Sequence, residues 1–255
     1  MAQNDVIISV KNLVKKYGDL EAVRGISFEV KRGEIFGILG PNGAGKTTTM
    51  EIIEGLRDAT SGEVMLDDHD ALKNKFEIKH KIGIQLQASG FYDNLSLKEL
   101  INLFANLYNR EVDYKEILKE VGLGEKEKAR VKQLSGGQKQ RFSIAAALVN
   151  DPLVIFLDEP TTGLDPQARR NLWELIENIK AKGKTIILTT HYMDEAEKLC
   201  DRIAIMDGGK IIQMDTPEKM IDDLLARGFS KPKPEKAANL EDVFIELTGK
   251  EIREE

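Results

Sequence analysis

The sequence Gly40-Pro41-Asn42-Gly43-Ala44-Gly45-Lys46-Thr47 decides how the rest of the chain is interpreted. It fits the pattern Gly-x-x-x-x-Gly-Lys-Ser/Thr of a phosphate-binding loop (P-loop), which joins a strand to a helix. Residues 34–39 before it are typical of a strand, and residues 46–56 after it are typical of a helix. Glycines in such a loop let backbone N–H groups reach phosphate oxygens without a Cβ in the way. The stretch therefore predicts a site for the phosphates of a nucleotide.

Three side chains at the end of this loop are candidates for phosphate and metal contacts. Lys46 should reach the β- and γ-phosphates, and the Thr47 hydroxyl should ligate Mg²⁺. Thr48 can add a further hydrogen bond to phosphate. We therefore expect residues 40–48 to bind ATP together with Mg²⁺.

Two acids follow the apolar run Leu153 to Leu157. A run of this length is typical of a strand that is buried on both faces of a parallel sheet. Ligands of open α/β sheets bind outside the carboxyl ends of the strands, so Asp158 can hold Mg²⁺ and Glu159 can polarise the attacking water as general base. Taken alone, two acids after a strand are better explained by a solvated loop or a helix N-cap. The P-loop favours the catalytic interpretation.

The distribution of elements predicts an α/β fold. We expect further strands at residues 6–10, 26–30, 62–66, 185–190 and 203–206, and a helix at residues 166–182 that Asp165 caps. Helical spacing of apolar residues from 97 to 107, continued from 112 to 121, predicts a helical insert. The predicted organisation is an ATP-binding core (1–87 and 151–228), an inserted helical subdomain (88–150), and a C-terminal linker with an amphipathic helix (229–255).

Composition narrows the possible functions. The net charge of −6 gives no electrostatic footprint for nucleic acid. The single cysteine, Cys200, excludes an internal disulfide, and we expect it to be a buried small side chain. No signal-peptide pattern is visible in residues 1–10, and no apolar run approaches the roughly 20 residues that span a bilayer. We expect a cytoplasmic protein that reaches a membrane only through a partner.

The sequence Leu134-Ser135-Gly136-Gly137-Gln138 narrows the choice among P-loop proteins. It resembles the signature sequence of the ABC (ATP-binding cassette) ATPase family, and it opens a predicted helix from residue 138 to about 150. Ser135 can cap that helix, and the two glycines offer bare N–H groups beside its positive end. An ordinary serine cap with flexible glycines is the alternative.

Other residues align with motifs of the same family, and the resemblance covers residues 5–225. It implies that Tyr17 stacks on adenine, that Gln87 touches Mg²⁺ and the attacking water, and that His191 contacts the γ-phosphate. The match at Gln87 is loose, because Leu86 stands where the family usually has proline and Gln85 lies two residues earlier. Asp165 resembles the D-loop residue that crosses the dimer interface, and it can also be an N-cap.

The resemblance also implies an architecture and a mechanism. The fold would be a RecA-like P-loop NTPase core sheet with an N-terminal antiparallel β subdomain, an inserted α-helical subdomain and a short C-terminal helical extension. Two subunits, identical or related, would pack head to tail, with each ATP between one P-loop and the other subunit's signature. Hydrolysis would release the dimer, and integral membrane subunits would receive the motion.

The inferences about the branch of the family and about the surface for the membrane partner rest on short stretches of the sequence. Residues 188–197 and 240–249 resemble drug-exporter ATPases of bacteria and archaea, which favours export of an unidentified substrate. A soluble iron–sulfur cluster assembly ATPase is the alternative. A small kinase or GTPase would leave the signature unexplained. Phe91 and Tyr92 are candidates for exposed aromatics in the groove for the membrane partner, unless they pack inside the insert.

Overall fold

The computed structural model describes residues 5–85 and 90–230 of the 255-residue chain. It divides into a unit of residues 1–218 and a second unit of residues 219–255. The strands of the described part are β1 (Val6–Tyr17), β2 (Leu20–Lys31), β3 (Ile35–Leu39), β4 (Ser61–Leu66), β5 (His69–Asp70), β6 (Ile82–Gln85), β7 (Val154–Asp158), β8 (Thr185–Thr190), β9 (Arg202–Asp207) and β10 (Lys210–Asp215). The helices are α1 (Lys46–Ile53), α2 (Lys75–Lys79), α3 (Leu97–Leu107), α4 (Tyr114–Glu120), α5 (Gly136–Leu148), α6 (Pro166–Ala181), α7 (Met193–Leu199) and α8 (Pro217–Ala226).

One sheet is antiparallel and has the strand order β2-β1-β4-β5. Its strands β1 and β2 are twelve residues long, so the predictions of strands at residues 6–10 and 26–30 found only half of each. Both strands are interrupted by register shifts, and Asn12 in β1 has a φ of 49°. Such bulges break the alternation of buried and exposed residues by which a strand is recognised in a sequence.

The second sheet has the order β10-β9-β3-β8-β7-β6 and is parallel except for β10. Strands β3, β7 and β8 are buried along their whole length, which confirms the apolar run before the acids as an interior strand, although it begins one residue later. Leu39 pairs with Thr190, and Asp158 pairs with Thr189. The carboxyl ends of these three strands therefore meet at one edge.

The helical region after β6 packs on this sheet through α5. Ser96 and Ser135 both make capping boxes, with Glu99 and Gln138 respectively. The prediction that α3 spans Leu97–Leu107 is confirmed. Because Ser135 is the N-cap, α5 begins at residue 136, and the predicted start at residue 138 is corrected.

The two aromatic residues predicted to be exposed in this region behave differently. Tyr92 is 68% exposed, as predicted. Phe91 is half-buried, and its ring contacts those of Phe104 and Phe142 at centroid distances of 6.2 and 5.0 Å. Edge-to-face packing against two aromatics holds the Phe91 side chain within the helical region, so the prediction of an exposed ring is wrong for Phe91.

The described part of the second unit continues the last helix. Helix α8 begins at Pro217, and it carries exposed apolar side chains such as Ile221 and Leu225. The predicted linker and amphipathic helix at residues 239–248 lie outside the described residues. Within residues 5–85 and 90–230, no helix is both long and apolar enough to cross a bilayer.

Candidate functional site

The P-loop lies between β3 and α1, at the edge where the parallel strands end. Two of its glycines are required by close backbone approaches. A Cβ on Gly40 would lie 2.1 Å from the carbonyl oxygen of Met206, and one on Gly45 would lie 2.5 Å from that of Ala22. Gly45 also has a φ of 100°, which strongly favours glycine. The loop is therefore fixed by neighbouring strands of both sheets.

Lys46 is 4% exposed and points back into this loop. Its Nζ donates to the carbonyl oxygens of Gly40 at 2.8 Å and Pro41 at 3.1 Å. The same Nζ lies 3.6 Å from Oε1 of Glu159. A buried ammonium needs such acceptors and a negative partner to offset the loss of water. The lysine is thus held where phosphate oxygens would meet it.

Asp158 ends strand β7 beside the hydroxyl of Thr47. Thr47 Oγ1 lies 3.3 and 3.4 Å from the two carboxylate oxygens of Asp158. Thr189, on the neighbouring strand β8, donates its hydroxyl to Asp158. One hydroxyl and one carboxylate next to a phosphate-binding loop are the hard oxygen ligands that Mg²⁺ accepts, since it is usually held by one or two carboxylates together with substrate phosphates. The donor set fits Mg²⁺.

Glu159 is held in an unusual backbone conformation, with a φ of 46°. Its N–H donates to the carbonyl oxygen of Thr189 at 3.2 Å and to the Thr189 hydroxyl at 3.1 Å. Its Oε2 accepts from Thr162 at 3.2 Å and lies 3.3 Å from Nδ1 of His191. A non-glycine residue with positive φ persists only where its surroundings fix it, and such residues cluster at functional sites. The carboxylate thus faces both Lys46 and His191.

The P-loop, Glu159 and His191 line one cavity of about 700 Å³. It includes the P-loop residues Asn42, Gly43, Gly45, Lys46, Thr47 and Thr48, the residues Glu159, Thr162 and His191, and Tyr17, Leu20 and Ala22. Tyr17 is 40% exposed. Its ring lies 5.0 Å from Lys15 Nζ and 5.5 Å from the Arg57 guanidinium, which are distances at which a cation interacts with a ring. An aromatic ring and a phosphate loop therefore share one cavity.

The signature residues lie elsewhere on the same unit. Ser135, Gly137 and Gln138 line a smaller cavity of about 190 Å³ together with Asp165. Asp165 caps α6 by accepting from the Ala168 N–H at 2.8 Å, so the predicted N-cap is confirmed. None of these residues lines the 700 Å³ cavity. Leu134 is 6% exposed, and Gly136 is exposed at the first position of α5.

Gln87 lies outside the described residues, so its predicted contacts with Mg²⁺ and water stay a prediction. Gln85, two residues earlier, is 1% exposed at the end of β6. Cys200 is buried as predicted, and burial raises the pKa of its thiol far above the ordinary range.

The structure also brings residues to this edge that sequence reasoning did not single out. Thr189 bonds both acids, and its only signal is its place at a strand end. Glu54, at the end of α1, is 2% exposed. Burial, and then the negative charges of Asp158 and Glu51, raise the pKa of its carboxyl to about 8. Glu195 is fully buried in α7, where burial raises its pKa. Polar and apolar residues are interspersed around Glu54 and Glu195 in the sequence, so the sequence did not indicate that either acid is buried.

Comparison with known proteins finds relatives that are ATP-binding proteins of ABC transporters or of export and resistance systems. The family model described as ABC transporter matches residues 23–162. The Nod factor export ATP-binding protein I of Burkholderia lata is 35% identical, with 97% of this chain and 98% of that protein covered. The linearmycin resistance ATP-binding protein of Bacillus subtilis is 40% identical, with 82% of this chain and 69% of that protein covered.

Solved structures resemble the fold over most of the chain. The ADP conformation of an ATP-binding cassette of an ABC transporter superimposes with a TM-score of 0.78, at 27% identity, over 88% of this chain and 96% of that one. A dimeric cassette in a post-hydrolysis state bound to ADP and Pi superimposes with a TM-score of 0.73, at 29% identity, over 82% of this chain and 98% of that one. The predicted fold class, a P-loop core with an antiparallel β sheet and added helices, is confirmed.

Proposed function

The chain belongs to the ABC transporter ATP-binding family and is an ATPase of export-type systems, and we propose that two copies close head to tail around two Mg-ATP to drive export through a separate membrane subunit. The observation that carries this proposal is the division of the site. The phosphate loop and Glu159 share one cavity, and the signature residues Ser135, Gly137 and Gln138 line another. This separation supports completion of the ATP site by the signature of a second subunit.

ATP binds in the 700 Å³ cavity in this proposal. The Tyr17 ring stacks on adenine, and the loop from Gly40 to Thr48 surrounds the phosphates. Lys46 exchanges its bonds to backbone carbonyls for bonds to phosphate oxygens, which are stronger because both partners are charged. The second subunit of the dimer is a copy of this chain or a related ATPase.

Mg²⁺ would be held by the Thr47 hydroxyl and Asp158, with Gln87 as a further ligand, and would neutralise phosphate charge. Glu159 accepts the proton of the attacking water, and its carboxylate is already near the position of the γ-phosphate because it contacts Lys46 at 3.6 Å. His191, at 3.3 Å from Glu159, contacts the γ-phosphate and orients that carboxylate.

The membrane subunit docks, in this proposal, at a groove of about 270 Å³ beside the helical region. Its lining is mostly apolar and includes Ile84, Phe91, Phe104 and Tyr108. The exposed Tyr92 directly follows Phe91 in the chain. Attachment through this groove would place the chain on the inner face of the cell membrane.

Export is favoured over import, because relatives carry names of export and resistance proteins. The same names speak against the soluble iron–sulfur assembly ATPase. In this proposal the cargo contacts the membrane subunits and not this chain.

The test is the assembly state of Glu159→Gln with nucleotide, measured by size-exclusion chromatography with light scattering. We expect the variant to be monomeric with Mg-ADP and dimeric with Mg-ATP, because it binds ATP and cannot hydrolyse it. Glu174→Gln, which makes the same change at an exposed acid of α6, serves as the control and should turn over ATP without accumulating dimer. A Glu159→Gln chain that binds ATP and stays monomeric would contradict the head-to-tail proposal for the isolated chain.

A further inference from the structure

A buried acid lies between the loops that carry Glu159 and His191. Glu195 is fully buried in α7, four residues after His191. Trp173 of α6 donates its indole N–H to Glu195 Oε1 at 3.2 Å. Helix α6 itself follows the loop after Glu159. One carboxyl group is therefore packed among three segments of the site.

Two threonines connect this carboxyl group to the site. Thr190 ends β8 just before His191, and Thr161 follows Glu159 by two residues; both are buried. Burial raises the pKa of Glu195, while the nearby hydroxyls of Thr190 and Thr161 and the indole of Trp173 lower it. Burial has the larger effect on the pKa, and the two hydroxyl groups place the carboxyl next to both loops.

The hydrogen bonding around the carboxyl is incomplete. Within the part of the chain that the structure describes, Glu195 Oε2, Thr161 Oγ1 and Arg169 Nε are buried and make no hydrogen bond of normal geometry. A buried polar atom left without a bond destabilises the fold. One oxygen of this carboxyl and two nearby donors therefore indicate that a small shift, which brings donors and acceptor together, would stabilise this region.

We propose that Glu195 is a positioning residue for ATP hydrolysis, whose carboxyl joins the Glu159 loop to the His191 loop when Thr161 closes onto Oε2. The proposal rests on the roles given above to Glu159 and His191. Glu195 itself touches neither nucleotide nor water, because it does not line the ATP cavity. Its effect is on the relative placement of the two residues that act on the γ-phosphate.

The location of the network predicts which kinetic constant changes. Tyr17 and the P-loop, which hold most of the nucleotide, have no contact with Glu195, Thr161 or Trp173 in the bonds described for them. Loss of the network should therefore leave ATP binding nearly intact and reduce turnover. An interaction that matters only in the reacting complex lowers kcat without raising KM.

The first experiment compares Glu195→Gln with Glu197→Gln, an exposed acid two residues further along α7. We expect kcat to fall about 10-fold or more in Glu195→Gln, with KM for ATP within about 2-fold of the parent. Glu197→Gln should match the parent in both constants. A Glu195→Gln protein with normal kcat, or with KM and kcat changed together, would overturn the proposal.

The second variant is Thr161→Val, which separates positioning from stability. The Thr161 hydroxyl makes no normal hydrogen bond in the described structure, so an isosteric methyl should leave the melting temperature unchanged or higher. If the bond to Glu195 forms during turnover, kcat should still fall several-fold. Normal kcat in Thr161→Val would overturn the proposal even if Glu195→Gln failed to fold.

The indole of Trp173 supplies a direct signal, because it is the only tryptophan of the chain and bonds Glu195. We expect Mg-ATP, but not Mg-ADP, to change its emission in the parent, and that change to be lost in Thr161→Val. An equal change in both proteins would contradict closure onto Oε2. Glu159→Gln and His191→Ala are run in parallel: if they keep normal turnover, the proposed site roles fail independently of Glu195.

Discussion

The two halves of the proposed ATP site are built differently in the same chain. In the P-loop half, Lys46 and Asp158 are 4% and 8% exposed and their polar atoms are bonded to neighbours. In the signature half, Ser135, Gly136 and Asp165 are exposed, and their bonds only cap helices. The buried half is held in place by bonds within its own subunit. The exposed half presents the capped N-termini of α5 and α6, which suit a phosphate carried by a second subunit.

The largest expected effect is a loss of ATP turnover when the signature half is changed. Gly136→Asp should abolish turnover, because a carboxylate at the start of α5 would repel the γ-phosphate, while an acid in the first turn favours the helix itself. Gly136→Ala is the control: its Cβ would meet only a Leu164 methyl at 3.8 Å. Steady-state hydrolysis measures both. Full activity in Gly136→Asp would exclude the signature from the ATP site.

Mixing tests whether the two halves belong to different subunits. Lys46→Ala and Gly136→Asp proteins should each be inactive, and their mixture should recover roughly a quarter of the parent rate. The reason is that half of randomly formed dimers are mixed, and each mixed dimer holds one intact site of two. Concentration-dependent hydrolysis of the mixture is the measurement. No recovery at any ratio would indicate that one subunit completes its own site.

The next effect concerns the P-loop half alone. Lys46→Ala should weaken ATP binding about 10- to 100-fold, because a charge-assisted hydrogen bond is lost. Equilibrium binding of a fluorescent ATP analogue measures it. Lys128→Ala, which removes an exposed lysine, should leave the affinity unchanged. Equal affinities of Lys46→Ala and the parent would place the phosphates elsewhere.

A smaller effect concerns the free energy of unfolding, which depends on the buried carboxyl of Glu54 behind the P-loop half. The folded-state pKa of Glu54, about 8, exceeds its ordinary value of 4.5. The folded chain therefore keeps a proton that the unfolded chain releases, and stability falls as the pH rises through this window. The advantage of Glu54→Gln in free energy of unfolding should grow by about 3 kcal/mol between about pH 5.5 and 8.5.

Denaturant unfolding at several pH values measures this advantage. Glu63→Gln, at an exposed position, should follow the parent at every pH. Parallel pH profiles for Glu54→Gln and the parent would show that the Glu54 carboxyl titrates normally.

The smallest expected effect is at the adenine end. Tyr17→Ala should raise KM for ATP about 5-fold, because stacking contributes about 1 kcal/mol beyond buried area. Tyr17→Trp should preserve KM, since it keeps a ring. Tyr92→Ala, which removes a more exposed aromatic, should leave KM unchanged. An unchanged KM in Tyr17→Ala would remove this residue from the ATP site.

Much of this arrangement could be predicted from the sequence. The P-loop could be recognised because Gly40 and Gly45 are required by close backbone approaches, and the signature because Ser135 caps the helix that follows. Strand β8 was predictable to the residue, since its run of threonine, isoleucine and leucine is rich in the β-branched residues that favour strands. Strand β6 was missed because it has only four residues, and β10 because it is a half-exposed edge strand without clear alternation.

The rest depends on long-range packing. Nothing in residues 193–199 distinguishes Glu195 from the exposed acids around it, because α7 is only seven residues long and its periodicity is short. The burial of Glu195 follows from contacts with α6, more than twenty positions earlier in the chain. Likewise, the bonds of Thr189 to both acids exist only because β7 and β8 are neighbours in the sheet.

The carbonyl oxygen of Ala22 has a further consequence. It lies where a Cβ on either Gly45 or Gly209 would collide with it, at 2.5 and 2.9 Å, and Gly209 donates its N–H to the Ala44 carbonyl oxygen. The loop is thereby ordered when the protein folds. Nucleotide exchange then requires no local refolding, so the rate at which the motor reloads should be set by diffusion and by dimer opening.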